Sequence, residues 1–313
     1  MQQSRVRPQQ RIGSLPARSL VCRWSGSLKF TGGSAAGRSR AGTESRNVLL
    51  DFGFTSGTLN NNLSMLRIAP ENLDALILSH GHYDHFGGLA GFLHDNRARL
   101  RAGLPLYLGG EECFCTRELT IGQTQDFGAL DRKALADAKL KVVFAETPAI
   151  VAGHAFTTGH IPAASFEKVL SPTRMTVGVK NGVGCFPDRL PADKRAATVV
   201  PDDFAHELAT CFNVKNRGLV VLTSCSHRGV VNTVRRAMEI SRVKTVHAVM
   251  GGLHLAPHKE EYVRETVAAL KEINPDHVIP MHCTGEVFID ILRAEMPDKF
   301  IRSYTGSRFI FGA

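Results

Sequence analysis

The chain has 313 residues, of which 43% are hydrophobic and 21% charged, and this composition is typical of a globular protein with a large core. No apolar run approaches the roughly 20 residues that a membrane helix needs, which excludes a membrane-spanning protein. The net charge of +9 comes almost entirely from residues 1–46, and the remaining chain carries 29 basic and 28 acidic residues. This nearly neutral body argues against a nucleic-acid-binding function.

Residues 1–46 predict a basic, weakly structured leader rich in serine, glycine and arginine, with eight arginines, one lysine and one acidic residue. The segment resembles a transit peptide in being rich in arginine and poor in acids. A flexible leader or an atypical start explains the same composition. Two stretches in it favour strands and could form a first hairpin, Ser19–Trp24 and Ser27–Thr31. We expect the folded domain to extend over residues 47–313.

From residue 47 onward, short apolar runs typical of buried strands alternate with amphipathic stretches typical of helices. The predicted strands are Asn47–Asp51, Ala75–Ser79, Pro105–Leu108, Val142–Ala145, Ala155–Thr158, Leu208–Val214, Gly218–Thr223, Thr245–Met250, His277–Met281 and one or two within Phe300–Phe311. The predicted helices are Gly87–His94, Asp131–Ala138, Gly229–Ile240, Glu260–Ile273 and Glu286–Met296. This order predicts an α/β or α+β fold with helices packed on sheet faces.

Residues 166–203 interrupt this alternation. They are rich in proline, glycine and charged residues and show no sustained period. A segment this long and irregular within a domain is usually a functional loop or a disordered insertion. We therefore expect a lid-like insertion that covers the substrate.

The seven cysteines form no regular pattern. Their number is odd, their spacing is irregular and no CxxC pair occurs: Cys22, Cys113, Cys115, Cys185, Cys211, Cys225 and Cys283. This usage does not predict a disulfide framework, and it favours a reducing, cytoplasmic location.

Four histidine-bearing segments each follow the carboxyl end of a predicted strand: LILSHGH, VVLTSCSH, AVMGGLH and VIPMHC. Side chains at the ends of neighbouring strands meet at one edge of a sheet. The sequence therefore predicts a single cleft at that edge, lined by several imidazoles.

The densest of these segments is SHGHYDHFGG at residues 79–88. His80 and His82 are two positions apart, so in an extended segment their side chains point to the same side. Asp84 and His85 are adjacent and cannot both point where His80 points, which suggests a second ion a few Å away. Imidazoles with a carboxylate suit zinc, iron or manganese. The neighbouring glycines, Gly81 among them, would let the loop turn tightly.

His80-Gly81-His82-Tyr83-Asp84-His85 matches the HxHxDH signature of the metallo-β-lactamase-fold superfamily. SHGHYDHFGGL, LTSCSHRGVVNT, MGGLHL and IPMHCTG also resemble, in this order, motifs of the 7,8-dihydropterin-6-methyl-4-(β-D-ribofuranosyl)aminobenzene 5′-phosphate synthase family. The resemblance covers roughly residues 47–313. It implies an α/β fold built as a four-layer αββα sandwich, with the site at one edge of the two sheets.

The resemblance also implies the ligands of two metal ions. His80 and His82 would hold the first ion, and Asp84 and His85 the second, which His282 would complete. The third ligand of the first ion stays open between His227 of the SCSH segment and His160 of a TGH-type motif. Many relatives carry a bridging aspartate where this chain has Cys225, which could be a ligand or a packed core residue.

Four residues near these motifs could act on the substrate. His254 in GGLHL could be a ligand, a proton donor, a substrate contact or a supporting histidine. Arg228 and the free N–H groups at Gly229, which opens a predicted helix, could hold a phosphate, although a solvated turn is an equal alternative for Arg228. Thr284 of IPMHCTG is a further substrate-contact candidate.

The expected function is a metal-dependent enzyme that uses a water activated by two divalent ions on a phosphorylated or ester small molecule. Asp84 would be both ligand and orienter of the nucleophile. Zinc is the expected metal, with iron, manganese or magnesium as alternatives. The alternatives are a pterin-type transferase, which the resemblance implies, and a non-catalytic metal-binding sensor. We expect a small-molecule substrate, neither nucleic acid nor membrane as partner, and leave homo-oligomerisation open.

Overall fold

Two large β-sheets pack face to face, and helices cover the outer face of each sheet. This architecture comes from a computed structural model, which describes residues 26–30, 34–170 and 173–312. Within these residues, no helix combines the length and apolar character needed to cross a bilayer. The arrangement is the four-layer αββα sandwich expected from the sequence.

The first sheet has seven strands. In spatial order they are β19 (Arg308–Phe311), β1 (Gly26–Phe30), β2 (Ala35–Ala41), β3 (Glu44–Leu50), β4 (Ala75–Ile77), β5 (Pro105–Leu108) and β8 (Lys141–Phe144). The strands from β19 to β3 pair antiparallel, whereas β3, β4, β5 and β8 are parallel. The parallel strands therefore end at one edge, and β4 leads there directly into the histidine-rich loop.

The second sheet has six strands. In spatial order they are β18 (His277–Pro280), β17 (Val246–Gly251), β16 (Gly218–Thr223), β15 (Thr210–Val214), β10 (Ala155–Thr157) and β9 (Ile150–Val151). β15 and β16 form the predicted hairpin, and β16, β17 and β18 run parallel. Every residue of β16 and β17 is buried because both faces of the sheet are covered, which explains their continuous apolar runs.

Eight α-helices lie in the described part of the chain. They are α1 (Ser56–Met65), α2 (Tyr83–Phe86), α3 (Leu89–Asp95), α4 (Arg132–Asp137), α5 (Ala192–Arg195), α6 (Val230–Ser241), α7 (Glu260–Ile273) and α8 (Glu286–Glu295). α1, α3 and α4 pack on the first sheet, and α6, α7 and α8 pack on the second.

The buried side chains form three layers between these elements. Alternating residues of one strand enter different layers because successive side chains point to opposite faces. Leu49 and Val221 face the helices, whereas Leu50 and Val220 meet in the layer between the sheets.

The lid-like insertion expected over residues 166–203 is more ordered than the sequence predicts. It contributes β11 (Thr173–Thr176), β12 (Gly178–Lys180), β13 (Val183–Cys185), β14 (Val199–Pro201) and α5. β11 and β14 form a third sheet with the hairpin of β6 (Thr116–Ile121) and β7 (Gln123–Asp126). The expectation of an irregular segment was wrong because the strand that orders β11 comes from more than fifty residues earlier.

The cysteines differ from the expectation in one respect, because Cys115 and Cys185 form a disulfide across 70 residues. Neither residue has a local spacing signal, and only the packing of β13 beside the segment before β6 brings them together. Cys22 lies outside the described residues. Of the rest, Cys113, Cys211, Cys225 and Cys283 are free.

The structure also corrects the boundary expected at residue 46, which falls inside β3. β2 pairs with β3 along its whole length, and its alternating pattern buries small residues against the second sheet. Within the expected leader, residues 27–30 of the candidate strand Ser27–Thr31 lie in β1, which pairs with β2 and β19, and Thr31 lies outside the described residues. The other candidate strand, Ser19–Trp24, lies outside the described residues.

Candidate metal centre

The loops that follow β4, β16, β17 and β18 meet at one edge of the two sheets. This is the cleft that the strand-end histidines predict. Four overlapping sets of candidate metal-ligand side chains lie there. They form two groups, one of three imidazoles and one of a carboxylate, two imidazoles and the neighbouring thiols of Cys225 and Cys283.

The first group consists of His80, His82 and His227, whose ligand nitrogens lie within 4.8 Å of one another. The Nε2 atom of His80 and both ring nitrogens of His227 are buried without a hydrogen-bond partner. Leaving buried polar nitrogens unpaired costs free energy, and a bound cation would remove that cost. This donor set therefore fits a divalent metal ion.

The second group consists of Asp84, His85 and His282. The Oδ2 atom of Asp84 lies 3.2 Å from Nε2 of His282 and 3.3 Å from Nε2 of His85. The thiol of Cys225 is 3.2 Å from the same His85 nitrogen. Carboxylate, imidazole and sulfur donors also fit a divalent ion, and Cys225 lies between the two groups because it is near both His80 and His282.

The protonation states of the first group and of Asp84 suit metal binding. Burial lowers the pKa of His80 and His227, and it lowers that of His82 to about 3, so these rings are neutral and keep a lone pair. Burial opposes ionisation of Asp84, but His85 and hydrogen bonds from His282 and His85 hold its pKa well below the usual range. Asp84 is therefore an ionised carboxylate. In the second group, burial opposes protonation of His85, but the carboxylates of Asp51 and Asp84 raise its pKa, and a hydrogen bond to Asp84 raises the pKa of His282.

Asp51, which the sequence reading did not select, supports both groups. Its carboxylate accepts a hydrogen bond from Nδ1 of His85 at 2.7 Å and from the Ser79 hydroxyl at 2.7 Å. Ser79 lies in turn 2.9 Å from Nδ1 of His80. These contacts leave Nε2 of both histidines to face the site. The sequence feature that could have pointed to Asp51 is its position directly after the strand β3.

His82 is oriented from the inserted segment. Its Nε2 atom lies 3.0 Å from the Thr173 hydroxyl, which leaves Nδ1 for a ligand. Asp202 lies 3.9 Å from the same nitrogen and accepts a hydrogen bond from the buried Arg117 guanidinium at 2.7 Å. The insertion thus supports a metal ligand, a contact that no local pattern predicts.

Gly81 is explained by close approach rather than by a tight turn. A Cβ atom at this position would lie 2.4 Å from a guanidinium nitrogen of Arg117. The backbone N–H of Gly81 donates to Nε2 of His206, and this nitrogen is also 3.0 Å from the Arg117 guanidinium. Glycine avoids this contact, because the buried guanidinium of Arg117 packs against the loop between His80 and His82.

His227 is held by two neighbours. Its ring stacks on Phe204 with the ring centroids 3.8 Å apart. The buried carboxylate of Glu207 accepts hydrogen bonds from the backbone N–H groups of His227 and Arg228, at 2.9 and 2.7 Å. Burial raises the pKa of Glu207 to about 7. The loop after β16 is thus fixed by a residue in the loop that precedes β15.

The structure corrects the phosphate site expected at Arg228 and Gly229. The guanidinium of Arg228 donates to the carbonyls of Ile161 and Asp203 and is committed within the fold. The first N–H groups of α6 are not free, because the carboxylate of Glu167 accepts from two of them at 2.8 and 3.0 Å. An internal carboxylate takes the place expected for a substrate phosphate.

The other expected site residues lie at different distances from the centre. His160 is exposed, donates from Nδ1 to the Ala205 carbonyl, and is in neither ligand group. The ring of His254 lies 4.1 Å from that of His227, and burial and His258 lower its pKa to about 4. Thr284 is buried, and its hydroxyl accepts from Leu253 N–H and donates to the His282 carbonyl, so it shapes the loop.

A cavity of about 610 Å³ opens beside the second group. It is lined by Phe54, Asp84, His282, Cys283, Arg302 and Tyr304, among others. The rings of Phe54 and Tyr304 are 59% and 65% exposed, and the Arg302 guanidinium lies 5.7 Å from the centre of the Tyr304 ring. The cavity is large enough for a small-molecule substrate next to the expected metal ligands.

The four layers and the ligand groups at the strand ends define a protein with the metallo-β-lactamase fold. The family model of the metallo-β-lactamase superfamily matches residues 40–107. The crystal structure of Tm1679, a metal-dependent hydrolase of the β-lactamase superfamily, superposes with a TM-score of 0.70 at 22% identity, covering 92% of this chain and all of the other.

Among proteins of known sequence, the chain is similar to the 7,8-dihydropterin-6-methyl-4-(β-D-ribofuranosyl)aminobenzene 5′-phosphate synthase of Methanocaldococcus jannaschii. The two are 27% identical over 267 residues, which is 83% of each chain. An uncharacterised protein of the same organism is 26% identical over 267 residues, 83% of this chain and 87% of the other. The expected resemblance to this branch is confirmed.

Proposed function

We propose that the protein is a metal-dependent hydrolase that cleaves a phosphoester or ester bond in a small anionic molecule. The observation that carries the proposal is the set of buried, unpartnered imidazole nitrogens of His80 and His227 beside the ionised Asp84. Asp84 lies at the edge of an open cavity, where a reacting bond can approach it.

Two divalent ions are proposed, one at His80, His82 and His227 and one at Asp84, His85, His282 and Cys225. Imidazole, carboxylate and sulfur donors favour zinc, with iron or manganese as alternatives. When bound, such ions supply Lewis-acid activation of water near neutral pH and of the oxygens around the scissile bond.

The chain's own residues orient the reactants. The Asp84 carboxylate can accept a hydrogen bond from the attacking water, because it is ionised and partly exposed to the cavity. His254 is neutral at pH 7, because burial and His258 lower its pKa to about 4, so it is not a cationic acid.

Arg302 supports the choice of an anionic substrate. Of the described residues that line the cavity, it is the one lysine or arginine, and no ion pair joins it to a described carboxylate. The exposed rings of Phe54 and Tyr304 add apolar area for a planar group. A guanidinium beside aromatic faces is suited to a phosphorylated ring compound.

The proposal is tested by reconstituting chelator-treated protein with zinc and assaying phosphodiesters, phosphomonoesters, esters and lactones. Asp84→Asn should lower kcat/KM at least about 100-fold, because a ligand and a hydrogen-bond acceptor are both lost. Asp290→Asn on the exposed face of α8 is the matched control. Full activity and full metal content of the Asp84 variant would overturn the proposal.

The same panel tests the role of Arg302. Arg302→Ala should raise KM for an aryl phosphodiester about 10-fold, since a charge-assisted hydrogen bond is worth about 1.5–3 kcal/mol. KM for a neutral aryl ester should stay unchanged, and Arg293→Ala, an exposed change on α8, should affect neither substrate. An equal change for both substrates would mean that Arg302 does not recognise the anion.

A pterin-type transferase is the second candidate, favoured by the 83% coverage of the match to the synthase. In that reaction a dihydropterin diphosphate would lose diphosphate and be captured by an aminobenzene ribosyl phosphate. Diphosphate release that requires both compounds would favour the transferase, and release with water alone would favour the hydrolase.

A further inference from the structure

Two free thiols lie in contact at the metal centre. The Sγ atoms of Cys225 and Cys283 are 3.5 Å apart, although the residues are separated by 58 positions and follow different strands. A disulfide has its sulfurs about 2.05 Å apart, so a movement of about 1.5 Å joins this pair. The other free cysteines of the described chain, Cys113 and Cys211, are fully buried at other places in the core.

The pair is open to a small reagent from one side. Cys283 is half-buried and lines the 610 Å³ cavity, whereas Cys225 is 3% exposed behind it. An oxidant that enters the cavity therefore meets Cys283 first and finds Cys225 within reach as a resolving thiol. Disulfide formation needs one thiol that the oxidant reaches and a second thiol in contact with it, and Cys283 and Cys225 provide these two groups.

We propose that Cys225 and Cys283 are a redox-modification site. When no metal ion is bound, hydrogen peroxide oxidises the two thiols to a disulfide. The Cys283 sulfur attacks one peroxide oxygen, the O–O bond breaks, and a sulfenic acid and water form. The Cys225 sulfur then attacks the sulfenic sulfur, the S–S bond forms, and a second water leaves. The two thiols lose two electrons in total, and hydrogen peroxide is reduced to two waters.

The disulfide would act on the second ligand group. The Cys225 sulfur lies 3.2 Å from Nε2 of His85, and a sulfur bound in a disulfide is no longer a thiolate donor. Oxidation therefore removes one ligand, and a bound ion conversely protects that thiol. Metal binding at the second group and oxidation of the pair therefore oppose each other, independently of which reaction the enzyme catalyses.

The test uses metal-free and zinc-loaded full-length protein, each treated with hydrogen peroxide, alkylated and digested without reductant. In metal-free protein, mass spectrometry should find the peptides of Cys225 and Cys283 linked, and zinc-loaded protein should stay unlinked. After oxidation, zinc affinity measured against a chromophoric chelator should fall at least about 10-fold, and a phosphine reductant should restore it.

Two variants sharpen the outcome. Cys283→Ser should abolish the link and the oxidative loss of zinc affinity, whereas Cys211→Ser, a matched change at a fully buried thiol, should leave both. Absence of the link in metal-free protein, or equal linkage with and without zinc, would overturn the proposal. Neither readout uses catalytic activity, so failure of the proposed function would leave this test intact.

Discussion

His227 occupies the point where three imidazoles meet, and neither of its ring nitrogens has a hydrogen-bond partner. Phe204 stacks on one face of the ring, and Glu207 fixes the backbone on which it sits. A side chain held this firmly with unpaired nitrogens is pre-organised for a ligand. His160, the alternative third ligand, is exposed and belongs to neither ligand group.

Substitution of each histidine in turn distinguishes which of the two is the metal ligand. His227→Ala should lose one equivalent of metal and at least about 100-fold in kcat/KM, because the first ion would keep only two protein ligands. His160→Ala should retain both within about twofold. Elemental analysis and steady-state kinetics check the pair, and the opposite pattern would assign the ligand to His160.

At the residue scale, the sequence predicts ligands better than their supports. The HxHxDH spacing selects His80, His82, Asp84 and His85 as candidate ligands, because the chemistry of an ion constrains neighbouring positions. Asp51 and Asp202 escape such reasoning, since each reaches its histidine across a fold that brings distant segments together. The prediction for Arg228 was wrong because the local sequence does not distinguish a phosphate-binding arginine from one that donates to backbone carbonyls within the fold.

At the scale of elements, α6 shows how the fold satisfies the N–H groups of a buried helix end. Gly229 provides no side chain to cap the helix, and Glu167, from a segment sixty residues earlier, accepts hydrogen bonds from the N–H groups of Val231 and Asn232. A negative group at this end also interacts favourably with the helix dipole. Since α6 follows the loop of His227, this contact helps to hold the site.

Removal of this cap should destabilise the protein. We expect Glu167→Ala to lower the free energy of unfolding by about 1–2 kcal/mol, because two buried N–H groups lose their acceptor. Glu265→Ala, an exposed change on α7, should change it by less than about 0.5 kcal/mol. Chemical denaturation of both variants is the measurement, and equal values would show that the Glu167 contact contributes nothing.

The strands and helices of the two main layers could be predicted because apolar runs and helical periods are local signals. Gly218–Thr223 and Glu260–Ile273 are predicted with their observed bounds. The third sheet could not be predicted, because β11 finds its partner β6 far along the chain and its own sequence is polar. In the last predicted strand region, only residues 308–311 form a strand.

At the scale of the whole molecule, buried charges join the inserted segment to the body. Lys194 on α5 donates to Glu112 at 2.8 Å and to Asp203 at 2.7 Å. Glu112 also accepts from His206, whose other nitrogen receives the N–H of Gly81. This chain of contacts links the insertion to the ligand loop, so the insertion and the site should be stabilised together.

The contact predicts an acid-sensitive part of the stability. Burial opposes ionisation of Glu112, but His206 and Lys194 lower its pKa from 4.5 to about 2. The unfolded chain therefore binds the proton more readily, and the stabilisation is complete above about pH 4.5 and is lost as the pH falls toward 2. At most it amounts to about 3 kcal/mol.

Glu112→Gln should flatten the pH dependence of unfolding free energy between about pH 2 and 5. Glu261→Gln, an exposed change at the start of α7, is the control and should keep the slope of the parent protein. Denaturant titrations across this pH range provide the comparison. An unchanged slope in the Glu112 variant would show that another carboxylate carries the effect.

The central claim is that one edge of the two sheets holds two metal ions. The most direct measurement is anomalous diffraction at the metal absorption edges from crystals of protein purified without chelator. The account predicts two peaks, one among His80, His82 and His227 and one among Asp84, His85, Cys225 and His282. No peak at this edge, or a single peak with His227 outside its coordination shell, would contradict it.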